Sequence, residues 1–259
     1  LAHDAARPRL LHDHPELLAY LHDFPRDRYD LKTTAQGFSF FIERAGPLDG
    51  IKQVIAGGGD WEGYFVDLMA RHIKPGSAAV DIGAYIGTHA LAMSRLAGPE
   101  GRVYAFEPQK KVFRELVHNL IENKVENVVP LRFALGEADR IVEMDAAVDG
   151  REGLVKVGRG GDLVELRTLD SFHLKDVSFM KIDAEGYDEL VLEGARQTIV
   201  ANGNPPILIE NVGGRQLLES LGYAVKPVEP RDFLAGPAPR YEPGRVISFA
   251  AGGNAGGYQ

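Results

Sequence analysis

The 259-residue sequence has no cysteine. Disulfides, thiolate metal sites and cysteine nucleophiles are therefore excluded, and the composition fits a reducing compartment. No apolar run approaches the ~20 residues of a membrane-spanning helix, so no membrane partner is expected. The chain opens at Leu1 rather than Met, and residues 1–20 lack the basic-then-apolar layout of a secretory leader. The expected localisation is cytoplasmic. Positive charge is also scarce: 29 Lys and Arg stand against 37 Asp and Glu, a net charge of -8, with no long basic run. Such a field repels a phosphate backbone, so the expectation is no nucleic acid partner. The G-x-G-x-x-G fingerprint of dinucleotide folds is missing as well.

What is present suffices for a sizeable core. Hydrophobic residues make up 44% and charged residues 25%, which excludes global disorder. Residues 1–58 read as an N-terminal extension or cap. This stretch holds Pro8, Pro15 and Pro25, an apolar helix pattern around Leu17, Leu18 and Leu21, and two expected strands, 37–43 and 51–55, around a Gly46-Pro47 turn. The His12-Asp13-His14 cluster has no i, i+4 pair and reads as solvated.

A regular rhythm then occupies residues 59–251. Asp60 is placed to cap a helix running to residue 73, which Pro75-Gly76 stops. Strands are expected at 78–82, 103–106, 128–135, 178–182 and 207–210, and closing strands at 223–228 and 245–250. Helices are expected at 88–96, 112–121, 187–199 and 216–221. The clearest carries Val112, Phe113, Leu116, Val117, Leu120 and Ile121 on one face. Residues 136–170 are polar and Gly-rich and read as an inserted hairpin, and residues 252–259 as a flexible Gly-rich tail. Short apolar strands alternating with helices imply an α/β fold with a mostly parallel sheet covered on both faces. In such sheets ligands bind beyond the carboxyl ends of the strands.

Those ends carry the chemistry. The first strand runs into Asp81-Ile82-Gly83-Ala84-Tyr85-Ile86-Gly87. Gly83 permits a tight turn and Gly87 a close backbone approach at a helix start. Asp81 beside them suits a ligand with an ammonium group and disfavours a pyrophosphate. The second strand ends in Glu107, 24 residues past Gly83, the usual distance for an acid that holds ribose hydroxyls. The third ends in Phe133-Ala134-Leu135, small and apolar enough for an adenine edge. The fourth ends in Asp183-Ala184-Glu185-Gly186, where two carboxylates at i, i+2 can enter one cleft as base or as metal ligands. Glu185 is equally placed to cap the following helix. The fifth ends in Glu210-Asn211.

The motifs Val80-Asp81-Ile82-Gly83-Ala84-Tyr85-Ile86-Gly87, Phe106-Glu107-Pro108, Lys181-Ile182-Asp183-Ala184-Glu185-Gly186-Tyr187 with Leu192-Glu193-Gly194-Ala195, and Ile209-Glu210 resemble the FkbM family of S-adenosylmethionine-dependent methyltransferases, across residues 58–212. The resemblance implies a Rossmann-like seven-stranded sheet with its final strand antiparallel. It also implies methyl transfer from S-adenosylmethionine, usually to oxygen, on a small molecule or sugar. By position it places Asp81, Gly83, Ala84 and Gly87 around the methionine end of the cofactor. Glu107 falls at the ribose, Ala134 near adenine, and Glu62 within reach of the amino group. Asp183 falls at both cofactor and acceptor, with Glu185 as its catalytic partner.

Asp183, Glu210 and Asn211 also resemble the Mg2+ site of catechol-type methyltransferases, with Glu210 replacing an Asp, so Mg2+ is an expected alternative. Asn204-Pro205-Pro206-Ile207 resembles an amino-group methylase motif, but it precedes a strand instead of following one and lacks the aromatic residue. His89, Trp61 and Tyr85 lie near the expected pocket and read more simply as structural. Two other functions compete: an NAD(P)-dependent oxidoreductase, opposed by Asp81 and the missing G-x-G, and a non-catalytic cofactor-binding regulator, opposed by three acids at strand ends. Homo-oligomerisation stays open.

Overall fold

The computed structural model describes residues 9–22, 24–146, 148, 150–210, 212–228 and 233–237. The N-terminal region begins with the short helix α1 (Arg9–Asp13) and a 3-10 turn, Pro15–Tyr20. An antiparallel hairpin follows, β1 (Tyr29–Thr33) with β2 (Ser39–Glu43). Residues 51–55, expected as a strand, lie instead within helix α2 (Gly50–Ala56), whose start is capped by Asp49 through a 2.9 Å bond from the Lys52 amide. The helix before the first core strand is α3 (Tyr64–Ala70). It starts later than expected because Asp60 does not cap it; the Asp60 carboxylate accepts the Gln36 amide at 3.1 Å instead.

The core alternates as the sequence implies. It runs β3 (Ala78–Ile82), α4 (Thr88–Ala97), β4 (Arg102–Phe106), α5 (Lys110–Glu122) and β5 (Val128–Leu131). The expected third strand then divides. Ala134–Leu135 leave the main sheet as β6 and join β7 (Arg140–Asp145) and β8 (Gly160–Arg167) in a separate three-stranded sheet. The chain returns as β9 (Val177–Ile182), then α6 (Asp188–Glu193) and α7 (Arg196–Ala201). The single helix expected over 187–199 breaks at Gly194-Ala195. A Cβ on Gly194 would collide with the Gly136 carbonyl oxygen, so the break accompanies close contact with the base of the small sheet. The chain ends in β10 (Ile207–Ile209), α8 (Arg215–Ser220), β11 (Tyr223–Pro227) and β12 (Phe233–Pro237). The strand expected at 245–250 and the tail 252–259 lie outside the described residues, and the last described strand is β12.

The main sheet has seven strands in the order β11-β12-β10-β9-β3-β4-β5. It is parallel except for β12, which runs antiparallel between β10 and β11. Side chains alternate between its faces with period two. Val80, Ile82, Met180, Ile182, Ile207 and Ile209 pack on one side with Val191, Leu192, Ile199 and Leu218 of α6, α7 and α8. Ala79, Val103, Ala105, Phe179 and Leu208 pack on the other with α3, α4 and α5. The fold is therefore Rossmann-like, with helices on both faces. Among the described residues, no helix is long and apolar enough to cross a membrane.

The N-terminal region shares the second of these cores. Leu10, Leu11, Leu17, Phe40, Ile42 and Ile55 are buried in it. Two asparagines complete the join, Asn119 of α5 and Asn123 just beyond its end. Asn123 accepts the Ser39 amide and Asn119 the Phe41 amide, each at 2.9 Å. Four helical residues rise about 6 Å and two strand residues about 6.6 Å, so the two spacings match. Lys52 of α2 and Glu115 of α5 form a fully buried ion pair at 2.9 Å, and the Tyr29 hydroxyl donates to Glu115 at 2.9 Å.

Candidate active site

A cavity of about 360 Å3 opens beyond the carboxyl ends of β3, β4, β9 and β10. Five expected cofactor residues line it: Glu62, Gly83, Glu107, Ala134 and Asp183. Three do not. Asp81, Ala84 and Gly87 are buried and absent from its wall. The two glycines serve close approaches within the protein. Both have positive φ, 77° at Gly83 and 98° at Gly87. A Cβ on Gly83 would collide with the Asp183 carbonyl oxygen, and one on Gly87 would lie 2.8 Å from Leu116 Cδ1. Gly83 thus seats the β3 turn against the β9 turn, and Gly87 seats the start of α4 against α5.

Glu107 is 3% exposed and held by two backbone amides. Tyr85 N donates to Oε2 at 3.1 Å and Gln109 N to Oε1 at 2.8 Å. Burial pushes its carboxyl up to about 7, against the lowering effect of those two amides. Each oxygen keeps a lone pair for a further donor. The wall beyond Glu107 is apolar, with Phe133, Ala134 and Leu135 on one side and Met144, Leu154 and Val157 of the 136–170 region on the other. Trp61 and Tyr85, read as core aromatics, also line the cavity.

Asp183, Glu185 and Glu210 stand together at the β9 and β10 ends, with carboxylate oxygens within 4.8 Å of one another. Asn211 lies outside the described residues. Glu185 does not cap α6. The carboxylate of Asp188 accepts the amides of Ala184 and Gly186 in that turn, at 3.3 Å and 3.2 Å, which leaves Glu185 on the cavity wall.

The motif reading missed Lys181. Its ammonium is 3.0 Å from Asp183 Oδ2, 3.7 Å from Asp81 Oδ1 and 3.5 Å from the Gly83 carbonyl oxygen. The signal was in the sequence: a lysine two residues before an aspartate at the end of an apolar strand has its side chain on the same face. Asp81 and Lys181 are direct partners in the parallel register, so their side chains also share that face. Burial raises the Asp183 carboxyl, but Lys181, Glu210 and His89 outweigh it and hold the group below the ordinary carboxylate range. Burial raises the Asp81 carboxyl, with Lys181 opposing, and neither Asp81 oxygen has a hydrogen-bond partner among the described residues. His89 Nε2 of α4 lies 3.3 Å from Glu62 Oε2 of the loop before α3, close but not aligned as a hydrogen bond, and of the two Glu62 is on the cavity wall.

Comparison with known proteins bears on this geometry. A fibrillarin-like rRNA/tRNA 2'-O-methyltransferase of Thermococcus sibiricus is 38% identical over 82 residues, covering 32% of this chain and 34% of the relative. The Pyrococcus furiosus protein of the same description is 37% identical over 76 residues, covering 29% and 31%. The chain thus spans about a third of the length of the curated relatives it matches. Those relatives are described as acting on RNA, and this overturns the expectation that nucleic acid is excluded. That expectation rested on net charge, which averages over the surface and does not describe a local binding face. Among solved structures, an FkbM methyltransferase of Methylobacillus flagellatus KT matches with a TM-score of 0.48 at 16% identity, over 71% of this chain and 65% of that one. The methyltransferase FkbM domain itself matches residues 81–223, from the aspartate of the glycine turn to the start of β11 and more than half of the chain. The chain belongs to the FkbM methyltransferase family.

Proposed function

We propose that this protein is an S-adenosylmethionine-dependent methyltransferase that methylates a hydroxyl oxygen, most simply one on a sugar. One observation carries the reading: Asp183, ion-paired to Lys181 beside the Gly83 turn, shares a single cavity with Glu107. A group that can orient or deprotonate a hydroxyl therefore faces the same space as a group that can hold a ribose.

The residues present fit this cofactor. Glu107 has lone pairs to spare for two ribose hydroxyls. The apolar wall of Phe133, Ala134 and Leu135 suits an adenine. Glu62 on the wall supplies negative charge for an amino group. When bound, S-adenosylmethionine supplies an electrophilic methyl group on a sulfonium. Asp183 accepts a hydrogen bond from the acceptor hydroxyl and takes its proton as the oxygen is methylated, a contribution of ~10²–10⁴-fold for a placed base. Lys181 fixes the Asp183 rotamer and keeps the carboxylate ionised. Glu185 and Glu210 orient the acceptor from the other side.

The Mg2+ alternative has less support. The three carboxylates are hard oxygen donors at suitable spacing, but Lys181 already places a cation 3.0 Å from Asp183. A divalent ion there would meet that ammonium, and no step needs it. An oxidoreductase is disfavoured by the same acids, which repel a pyrophosphate.

Calorimetric titration with S-adenosylmethionine, with NAD as control, tests the cofactor. Micromolar binding of the former alone is expected, and preference for NAD would overturn the reading. Transfer of labelled methyl to free sugars and to RNA then tests the acceptor. Label on a hydroxyl oxygen supports O-methylation, whereas label on nitrogen or carbon overturns it.

A further inference from the structure

The carboxylate of Glu107 is held by two residues whose side chains are each tied to a region outside the core sheet. Tyr85 donates its amide to Oε2, and its hydroxyl donates to Asp49 Oδ2. Asp49 caps α2 through its other oxygen. Gln109 donates its amide to Oε1, and its Nε2 donates to the Glu152 carbonyl oxygen at 2.9 Å. Glu152 is 4% exposed, accepts from Lys111 at 2.9 Å and turns its own loop through the Gly150 amide at 3.1 Å. Lys111 in turn pairs with Glu43 of β2 at 3.0 Å.

The two outlying regions also meet. A Cβ on Gly150 would lie 2.8 Å from Pro47 Cβ, and one on Gly153 would lie 3.6 Å from Ile51 Cδ1. Residues of both regions, Asp49 and Ile51 on one side and Leu154 and Val157 on the other, wall the cavity next to Glu107.

We propose that Tyr85 and Gln109 are positioning residues for the cofactor, and that the N-terminal region and the 136–170 region act through them to set cofactor affinity. This assigns both regions to the donor half of the site and not to acceptor choice. It rests on the cofactor reading above. Tyr85 has a φ of 51°, in the left-handed region where a side chain is uncommon. The phenol anchored on Asp49 holds the loop there and keeps its amide on Glu107. Gln109 does the same for the other oxygen from the Glu152 side.

The test uses the full chain and the variants Tyr85→Phe, Asp49→Ala, Asp49→Asn and Gln109→Leu, each checked for cooperative thermal unfolding. Binding of S-adenosylmethionine and S-adenosylhomocysteine is measured by calorimetry. Tyr85→Phe, Asp49→Ala and Gln109→Leu are each expected to weaken binding by about fivefold or more. Asp49→Asn keeps one acceptor for two donors, the Tyr85 hydroxyl and the Lys52 amide, and is expected to fall between Asp49→Ala and wild type. Tyr85→Phe combined with Asp49→Ala loses no more than either alone, because they share one tie, whereas Tyr85→Phe combined with Gln109→Leu loses more than either.

Cofactor affinity unchanged in folded Tyr85→Phe and Gln109→Leu overturns the proposal, and so does a loss confined to the acceptor KM. A second readout needs no cofactor. The carbon-13 NMR titration of the Glu107 carboxyl moves to higher pH in both variants if the amides are released, and an unmoved titration overturns the proposal. If the wild type binds no S-adenosylmethionine, the functional reading fails, and this titration still decides the positioning role.

Discussion

The ammonium of Lys181 lies 3.0 Å from Asp183 Oδ2, and the same nitrogen approaches Asp81 Oδ1 at 3.7 Å. One buried cation therefore serves two acids, one on the cavity wall and one behind the glycine turn. Lys181→Met removes the largest effect that opposes burial of Asp183, and its carboxyl titrates at higher pH. The acid limb of a kcat against pH profile is expected to move upward, with stability lower by about 3–5 kcal/mol. Lys181→Arg keeps the charge and is expected to hold the limb in place. An unmoved limb in Lys181→Met separates Lys181 from the chemistry.

Asp183→Asn keeps the shape of the site and removes the proposed base. Turnover is expected to fall by ~10²–10⁴ while calorimetry still detects cofactor. Addition of a chelator to the wild type is expected to change nothing, because Lys181 supplies the local positive charge. Loss of activity with EDTA and recovery with Mg2+ would restore the metal reading.

Glu107 makes a pH dependence with a defined sign. Its carboxyl sits at about 7 against an ordinary 4.5. Between those values the folded chain keeps a proton that the unfolded chain has lost. Stability conferred by that proton is full below 4.5 and falls as pH rises to about 7, with a slope of at most about 1.4 kcal/mol per unit. Ribose hydroxyls need the ionised form, so cofactor binding is expected to tighten as pH rises toward 7 and then level off. Calorimetry in buffers of different ionisation enthalpy is expected to detect proton release on binding at pH 6 and none at pH 8.

The buried Lys52–Glu115 pair predicts an asymmetry in stability. Glu115→Gln or Lys52→Met alone leaves one charge without its partner, at a cost of about 3–5 kcal/mol. The combined change to Met and Leu removes both charges and is expected to recover most of that loss. Urea unfolding of the three variants measures it, and equal losses in all three would show that packing, not charge, is what the site requires.

Much of this was legible in the sequence, for reasons particular residues make plain. The apolar stripe from Val112 to Ile121 fixed α5, and the Gly83 turn and Glu107 marked the cavity because strand ends and glycines carry local rules. Residues 51–55 misled because three apolar positions, Ile51, Val54 and Ile55, are too few to separate a strand period from a helix period; the cap supplied by Asp49 decides for helix. Residues 128–135 looked like one strand because the switch from β5 to β6 depends on β8, some thirty residues later. Lys181 was overlooked although Asp183 is only two residues away, because its other partners, Asp81 and the Gly83 carbonyl, are about a hundred positions off and only the pairing of β3 with β9 brings them to it.

The asparagine ladder between β2 and α5 has a consequence for the order of events during synthesis. Ser39 and Phe41 leave the ribosome 84 and 78 residues before the side chains that seal them. Until then, the outer rim of the hairpin is an open template for any passing strand.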